Sequence, residues 1–280
     1  MKSIKRISLL TFCIINFSLG AQNHAFDVKV VGKGEPVLLF PGFTCTGDVW
    51  NELVAELSKT KECHIFTFAG FGEVPPIEKP WLSKIKEDIL NYISNKNLEN
   101  VIVIGHSLGG TLGLWLASDK NAAYHKIIII DALPSTGALM VPNFDSETIV
   151  YDNPYNQRLL DMDEKSFDAM ATQMAFGMAL NKDKHEQIKE WIIKTDRETY
   201  VYGFTDLLKL DLREAIARIT IPVVILAATK PYGEDVVKIT YEEQYKNLTA
   251  YSISYAKESA HFIMYDQPDW LLQHIKKALE

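Results

Sequence analysis

Val101-Ile102-Val103-Ile104-Gly105-His106-Ser107-Leu108-Gly109 is the stretch that decides the fold. Four apolar β-formers in a row read as a strand buried on both faces. The chain then meets a G-x-S-x-G pattern, Gly105 to Gly109. It continues as Gly110-Thr111-Leu112-Gly113-Leu114-Trp115-Leu116-Ala117, which can run on as a buried helix. A strand that turns this sharply into a helix puts the apex residue at a strained backbone angle. Glycines on both sides let neighbouring backbone pass without a Cβ clash. Ser107 is the apex, and its hydroxyl is expected to point out over the end of a sheet. A serine so placed is a candidate nucleophile. The competing reading is a glycine-rich strand–helix turn with an idle serine.

Outward from this turn, apolar runs of strand length recur. They are Phe26 to Val31, Val37 to Phe40, His64 to Phe68, Ile127 to Ile130, Val223 to Ala227 and Ala250 to Tyr255. Most are continuous, as in strands covered on both faces. Helical stretches lie between them: Gly47 to Lys59, Trp81 to Asn95, Ser107 to Ser118, Val236 to Lys246 and Gln267 to Leu279. In the second of these, Ile85, Ile89, Tyr92 and Ile93 form one apolar side. Alternation of strand and helix predicts an α/β fold, a mainly parallel central sheet with helices on both faces.

One interval breaks the rhythm. From Leu133 to Thr220 no strand is convincing. This stretch holds Met162, Met170, Met174 and Met178, Phe167 and Phe176, Trp191, Tyr200, Tyr202 and Phe204, and charges around Lys182 and Arg197. It reads as a helical cap, residues 135–205, inserted after the sixth strand, the one that ends in Ile127 to Ile130. It should sit over the carboxyl ends of the strands as a separately packed lid. A Met and aromatic stripe at helical spacing serves core packing first; in a lid, some of it should also face a pocket. The core is then 22–134 and 206–280.

Residues 1–21 read as a signal peptide. Lys2, Lys5 and Arg6 precede an apolar run, Ile7 to Leu19, and Gly20-Ala21 offers small residues for cleavage. Phe12 before Cys13 is too large for a lipoprotein site, so export without a stable membrane anchor is expected. The formal net charge of −7 becomes three units more negative once the three basic residues of the signal are removed. That excess argues against nucleic acid as a partner. Cys45 and Cys63 are placed at opposite edges of the sheet, too far apart for a disulfide. No C-x-x-C pair or His/Cys cluster suggests a metal, and no cofactor is expected. Nothing in the sequence points to an oligomeric state.

These pieces together resemble the α/β-hydrolase superfamily, in its serine-nucleophile, capped branch, over nearly the whole mature chain. Phe40-Pro41-Gly42-Phe43-Thr44 looks like the family's oxyanion loop, with Pro41 where histidine is usual. Gly70-Phe71-Gly72 matches a glycine-rich loop, and Gly105 to Gly109 is the nucleophile elbow. Ser259-Ala260-His261-Phe262, followed by Asp266-Gln267-Pro268, looks like the carboxyl-terminal histidine loop. The resemblance implies Ser107 as nucleophile and backbone amides of Phe43 and Leu108 as the oxyanion hole. Those amides need no particular side chain, so Pro41 need not abolish activity. A serine hydroxyl needs an adjacent base, and histidine suits that work near neutral pH. His24 is near the amino terminus, His64 and His125 begin strands at the far edge, His185 lies in the cap and His274 in the last helix. His261 alone follows the last strand on the same edge as Ser107.

The acid is the open position. The common family station follows Val223 to Ala227, where Thr229 or Lys230 stands. Asp235, or else Glu234, could fold back from further along that loop. A second station in the superfamily ends the preceding strand, and Asp131 occupies it; the plain alternative there is a helix cap or loop anchor. Asp131 is taken as the acid because the usual station is vacated. The resemblance then implies an exported serine hydrolase that cleaves an ester or related activated acyl bond in a small-molecule substrate through an acyl-enzyme. The rival is a catalytically silent binding protein of the same fold, which the vacated acid station would favour.

Overall fold

The computed structural model describes residues 25–119 and 124–280. The signal-peptide reading of residues 1–21, and His24, lie outside them. The apolar runs become the strands of one sheet, seven-stranded among the described residues. In chain order these are β1 (Phe26–Gly32), β2 (Glu35–Phe40), β3 (Lys61–Phe68), β4 (Val101–His106), β5 (Tyr124–Ile130), β6 (Val223–Ala228) and β7 (Tyr251–Ala256). Across the sheet they lie β1-β3-β2-β4-β5-β6-β7. Only the pairing of β1 with β3 is antiparallel; the others are parallel. Every residue of β4 is buried, in keeping with the unbroken apolar run Val101 to Ile104 that opens it. The strand expected to begin at His64 starts at Lys61 instead, because β1 pairs with it as far as Gly32 opposite Glu62.

Alternate side chains of the central strands go to opposite faces. Leu38, Phe40, Val103, Ile127, Ile129 and Ile225 pack under α2 (Trp81–Asn95), α3 (Leu108–Ala117) and a later helix, Glu234–Gln244. Val37, Leu39, Ile102, Ile104, Ile128 and Ile130 pack under α1 (Asn51–Leu57) and the last helix, Pro268–Leu279. Cys45 and Cys63 are both buried and both free thiols. Burial pushes the Cys63 thiol up to about 11 and that of Cys45 further, so both stay protonated.

The insertion after Ile130 carries helices joined by loops and, among the described residues, no strand. It carries α4 (Thr136–Met140), α5 (Pro154–Leu160), α6 (Glu164–Met178), α7 (His185–Lys194) and α8 (Phe204–Lys209), with a π-helical turn at Thr199–Gly203. It leaves from β5, the fifth strand rather than the sixth, since only four strands precede β5 among the described residues. Local signals set the helix starts: Asn153 caps α5 with Pro154 in its first turn, and the Asp163 carboxylate accepts from the Ser166 amide to open α6. α8 runs across the expected boundary at 205. The lid expected to pack separately instead shares a core with the sheet. Phe167, Trp191 and Tyr200 belong to the same buried cluster as Trp50, Ile104 and Ile130. Arg197 binds the segment from within, donating to the carbonyls of Leu159 and Met162 at 2.9 Å each while its guanidinium lies over Phe167.

After the insertion the chain forms β6, α9 (Glu234–Gln244), β7, the short α10 (Ile263–Asp266) and α11 (Pro268–Leu279). The carboxyl ends of β4, β5, β6 and β7 lie side by side, and the site is built on that edge.

Candidate active site

Ser107 stands between β4 and α3 with φ 52° and ψ −121°. A non-glycine residue there is strained, and its neighbours leave no alternative. A Cβ on Gly105 would lie 2.3 Å from the Gly109 carbonyl oxygen. One on Gly109 would lie 2.2 Å from that of Phe40. The turn is therefore closed from both sides by backbone. The Ser107 amide donates to the Ile130 carbonyl at 2.9 Å, which joins the turn to the end of β5.

Asp131 follows directly on the last residue of β5, and it too has a positive φ, 45°. Its amide donates to the Leu226 carbonyl at 2.8 Å. One carboxylate oxygen, Oδ2, accepts from His261 Nδ1 at 2.7 Å. The other, Oδ1, accepts from the Ala228 amide and from the Tyr241 hydroxyl, each at 2.9 Å. A carboxylate can only accept, so His261 carries its proton on Nδ1 and leaves Nε2 free as an acceptor. The structure brings His261 and Asp131 together as the sequence placed them. It does not bring Asp235 or Glu234 there. Asp235 is exposed. Glu234 faces Lys238 at 2.7 Å and Lys257 at 3.2 Å, which hold its carboxyl below the usual range.

The vacated station has another job. Thr229 is buried, and its hydroxyl reaches the carbonyls of Ala256 and Lys257 at 3.1 and 2.6 Å. The Lys230 amide donates to the Ser259 carbonyl. This loop fastens the start of the histidine loop instead of supplying an acid.

The other histidines are committed elsewhere. His64 is buried between Tyr92 and Glu62, and His185 and His274 bond carbonyls of their own segments. His125 is exposed.

The segment Pro41 to Thr44 lies beside Ser107. A Cβ on Gly42 would meet the Ser107 Cβ at 3.4 Å. The Cys45 amide donates to the Gly42 carbonyl and Thr44 takes φ 67°, so the loop is a tight turn. The Phe43 ring is boxed by Phe71, Trp81, Tyr200 and Phe204 at centroid distances of 5.3, 6.0, 5.8 and 5.5 Å. Phe71 and Trp81 come from the core and Tyr200 and Phe204 from the insertion, so the Phe43 ring is packed between the two.

The sequence reading passed over His106. It is fully buried, and its ring lies 4.6 Å from that of His261. Its Nε2–H donates to the His261 carbonyl at 3.0 Å. Nδ1 is then an acceptor with no partner among the described residues, and a Cβ on Gly42 would come within 2.7 Å of it. Burial, reinforced by His261, holds the His106 ring well below the usual histidine range. A wedge of neutral imidazole thus spaces the oxyanion-type loop from the histidine loop. Its signal was a histidine directly before the elbow serine.

The histidine loop is also tied to the cap. The Phe262 amide donates to the Met178 carbonyl at 3.0 Å. Asp266 accepts from the amides of Leu180 and Asn181 with one oxygen and from Ala260 with the other, at 2.8, 2.9 and 2.8 Å.

Comparison with known proteins bears on the family and the fold. The chain is 21% identical over 260 residues to 3-oxoadipate enol-lactonase 1 of Acinetobacter baylyi, covering 90% of this chain and 92% of that one. It is 21% identical to a pimeloyl-[acyl-carrier protein] methyl ester esterase of Vibrio campbellii, covering 70% and 76%. Among solved structures, the enol-lactonase from Burkholderia xenovorans superposes with a TM-score of 0.76 at 15% identity over 91% of this chain and 96% of that one. A thermophilic esterase from Thermogutta terrifontis gives 0.75 at 16% identity over 91% and 92%. These structural likenesses show the fold. The model of the alpha/beta hydrolase family matches residues 37–274, from the second strand to the last helix, and the chain belongs to that family.

Proposed function

We propose that the protein is a serine hydrolase that cleaves an ester or related activated acyl bond in a small molecule. The observation that carries the reading is the 2.7 Å bond from His261 Nδ1 to Asp131, on the sheet edge where Ser107 stands at its strained apex. In this reading Ser107 Oγ attacks the carbonyl carbon while His261 Nε2 takes its proton. Asp131 holds the imidazole tautomer and offsets its positive charge. The amides of Phe43 and Leu108 receive the oxyanion; neither donates to another group among the described residues. His261 returns the proton to the leaving group. Water, deprotonated by the same imidazole, then attacks the acyl-enzyme; the acyl–Oγ bond breaks, the imidazolium returns its proton to Ser107 Oγ, and the carboxylic acid leaves. Relatives named enol-lactonase and methyl ester esterase support a carboxylic-ester substrate. Export is part of the proposal, supported by the basic and apolar sequence of residues 1–21.

A fluorophosphonate probe tests the chemistry. Stoichiometric labelling mapped to Ser107 by mass spectrometry, abolished in Ser107→Ala, is the expected result. A protein that folds and leaves the probe untouched is a binding protein of this fold, and the hydrolase reading fails.

A further inference from the structure

The acid at the end of β5 is served by a helix from another part of the chain. Tyr241 and Gln244 of α9, with Tyr245 directly after its last residue, lie at i, i+3 and i+4, so they share one side. All three are buried, and all three grip the segment that begins at Asp131. The Tyr241 hydroxyl donates to Asp131 Oδ1 at 2.9 Å. The Tyr245 hydroxyl donates to the Ala132 carbonyl at 2.7 Å. The Gln244 carboxamide accepts from the Ser135 amide and donates to the Ser135 carbonyl, at 3.2 and 3.0 Å. The two tyrosine rings stack, 5.8 Å apart and 17° from parallel.

We infer that Tyr241 is a positioning residue for the reaction: its buried phenol fixes the rotation of the Asp131 carboxylate so that Oδ2 stays on His261. The inference rests on the reading of Asp131 as the acid. A carboxylate pivots about its Cβ–Cγ bond, and a single anchor leaves that pivot loose. Ala228 supplies one anchor from the backbone, and Tyr241 supplies the second on the same oxygen. The phenol is a dependable donor, because burial first and the Asp131 charge next push its ionisation far above the working range. The second bond also draws negative charge toward Oδ1, away from the imidazole. The titratable groups facing Asp131 and Tyr241 are His261, with His106 of β4 behind it, Tyr245 directly after α9, and Tyr255 of β7, which opposes ionisation of Tyr241.

A residue that only filled the core would affect stability and nothing else. The test is the pH profile of kcat/KM on a p-nitrophenyl ester for wild type, Tyr241→Phe and Tyr245→Phe. Tyr241→Phe should lower kcat about tenfold, the size of one lost hydrogen bond to a charge, with KM little changed. Its acid limb should move to higher pH by about half a unit, because a carboxylate with one donor fewer favours the charged imidazole more. Tyr245→Phe loses an equally buried hydroxyl bonded to a carbonyl, so it should lower the melting temperature and leave the limb in place. Replacing Tyr241 by 3-fluorotyrosine keeps the ring and strengthens the donor. That protein should fold even if Tyr241→Phe does not, and its limb should move to lower pH. Limbs that coincide with wild type in the fluorinated and Phe proteins overturn the inference, as do equal shifts in both Phe variants. Ser107→Ala is run beside them: if it retains turnover, the serine-hydrolase reading falls. If it is inactive while Tyr241→Phe matches wild type, the role of Tyr241 alone falls.

Discussion

Of the carboxylates that the resemblance offers as the acid, Asp131 is the one the fold sets against His261. Asp131→Asn should cost roughly 10³–10⁴ in kcat, the order seen when a triad carboxylate becomes its amide. Asp235→Asn and Glu234→Gln should cost little, since Asp235 is exposed and Glu234 is spent on Lys238 and Lys257. Steady-state kinetics of the three variants, with circular dichroism to confirm folding, makes the comparison; a severe loss in Asp235→Asn beside a mild one in Asp131→Asn would restore the usual station. Ser107 was legible because its cause is local: the crowding that demands Gly105 and Gly109 lies within the motif and the strand beside it. His261 was legible from chain order. His106 and Tyr241 were not, because their partners lie 155 and 110 residues away. Asp131 and His261 are 130 residues apart as well, but the family resemblance offered stations for both; nothing in the sequence offered the pairings of His106 and Tyr241.

Among the elements, the sheet was readable almost residue by residue and the cap was not. Strands buried on both faces announce themselves as continuous apolar runs. The half-buried helices of the cap mix their signals: Met170, Met174 and Met178 lie four apart on α6, half-buried against the sheet-side cluster, while Phe176 between them is 58% exposed. Composition gave a helical lid but not its attachment. Because Phe167, Ile188, Trp191 and Tyr200 share a core with β4, β5 and α1, excision of residues 135–205 should not leave a soluble core. It would expose the side chains that the cap now covers, and several large buried residues contribute about 1.5–3 kcal/mol each, against a total stability of only about 5–15 kcal/mol. Thermal unfolding followed by circular dichroism would check this. A cooperative transition in the excised protein would mean that the two cores are separable after all.

At the scale of the whole molecule, buried imidazoles set how stability responds to acid. His106 and His64 are both held below the usual histidine range, and for both burial is the largest cause. The unfolded chain takes up protons at these sites below about pH 6.5, whereas the folded one resists them. Unfolding therefore gains protons as the pH falls, and stability declines from about pH 6.5 downward. The urea midpoint should be lower at pH 5.5 than at pH 7.5, and the difference should shrink in His106→Gln. Equal differences in both proteins would remove His106 as a cause. The seam between α6 and the histidine loop carries one more consequence, for protein engineers. Asp266 accepts two amides from just beyond α6 and one from beside His261, and Phe262 hangs from the last residue of that helix. A foreign cap grafted to alter which substrates are accepted must reproduce these four bonds at the junction. A transplant that alters the backbone at Met178 to Asn181 will also shift the loop that carries His261, so on the proposed function selectivity and turnover cannot be tuned independently at this joint.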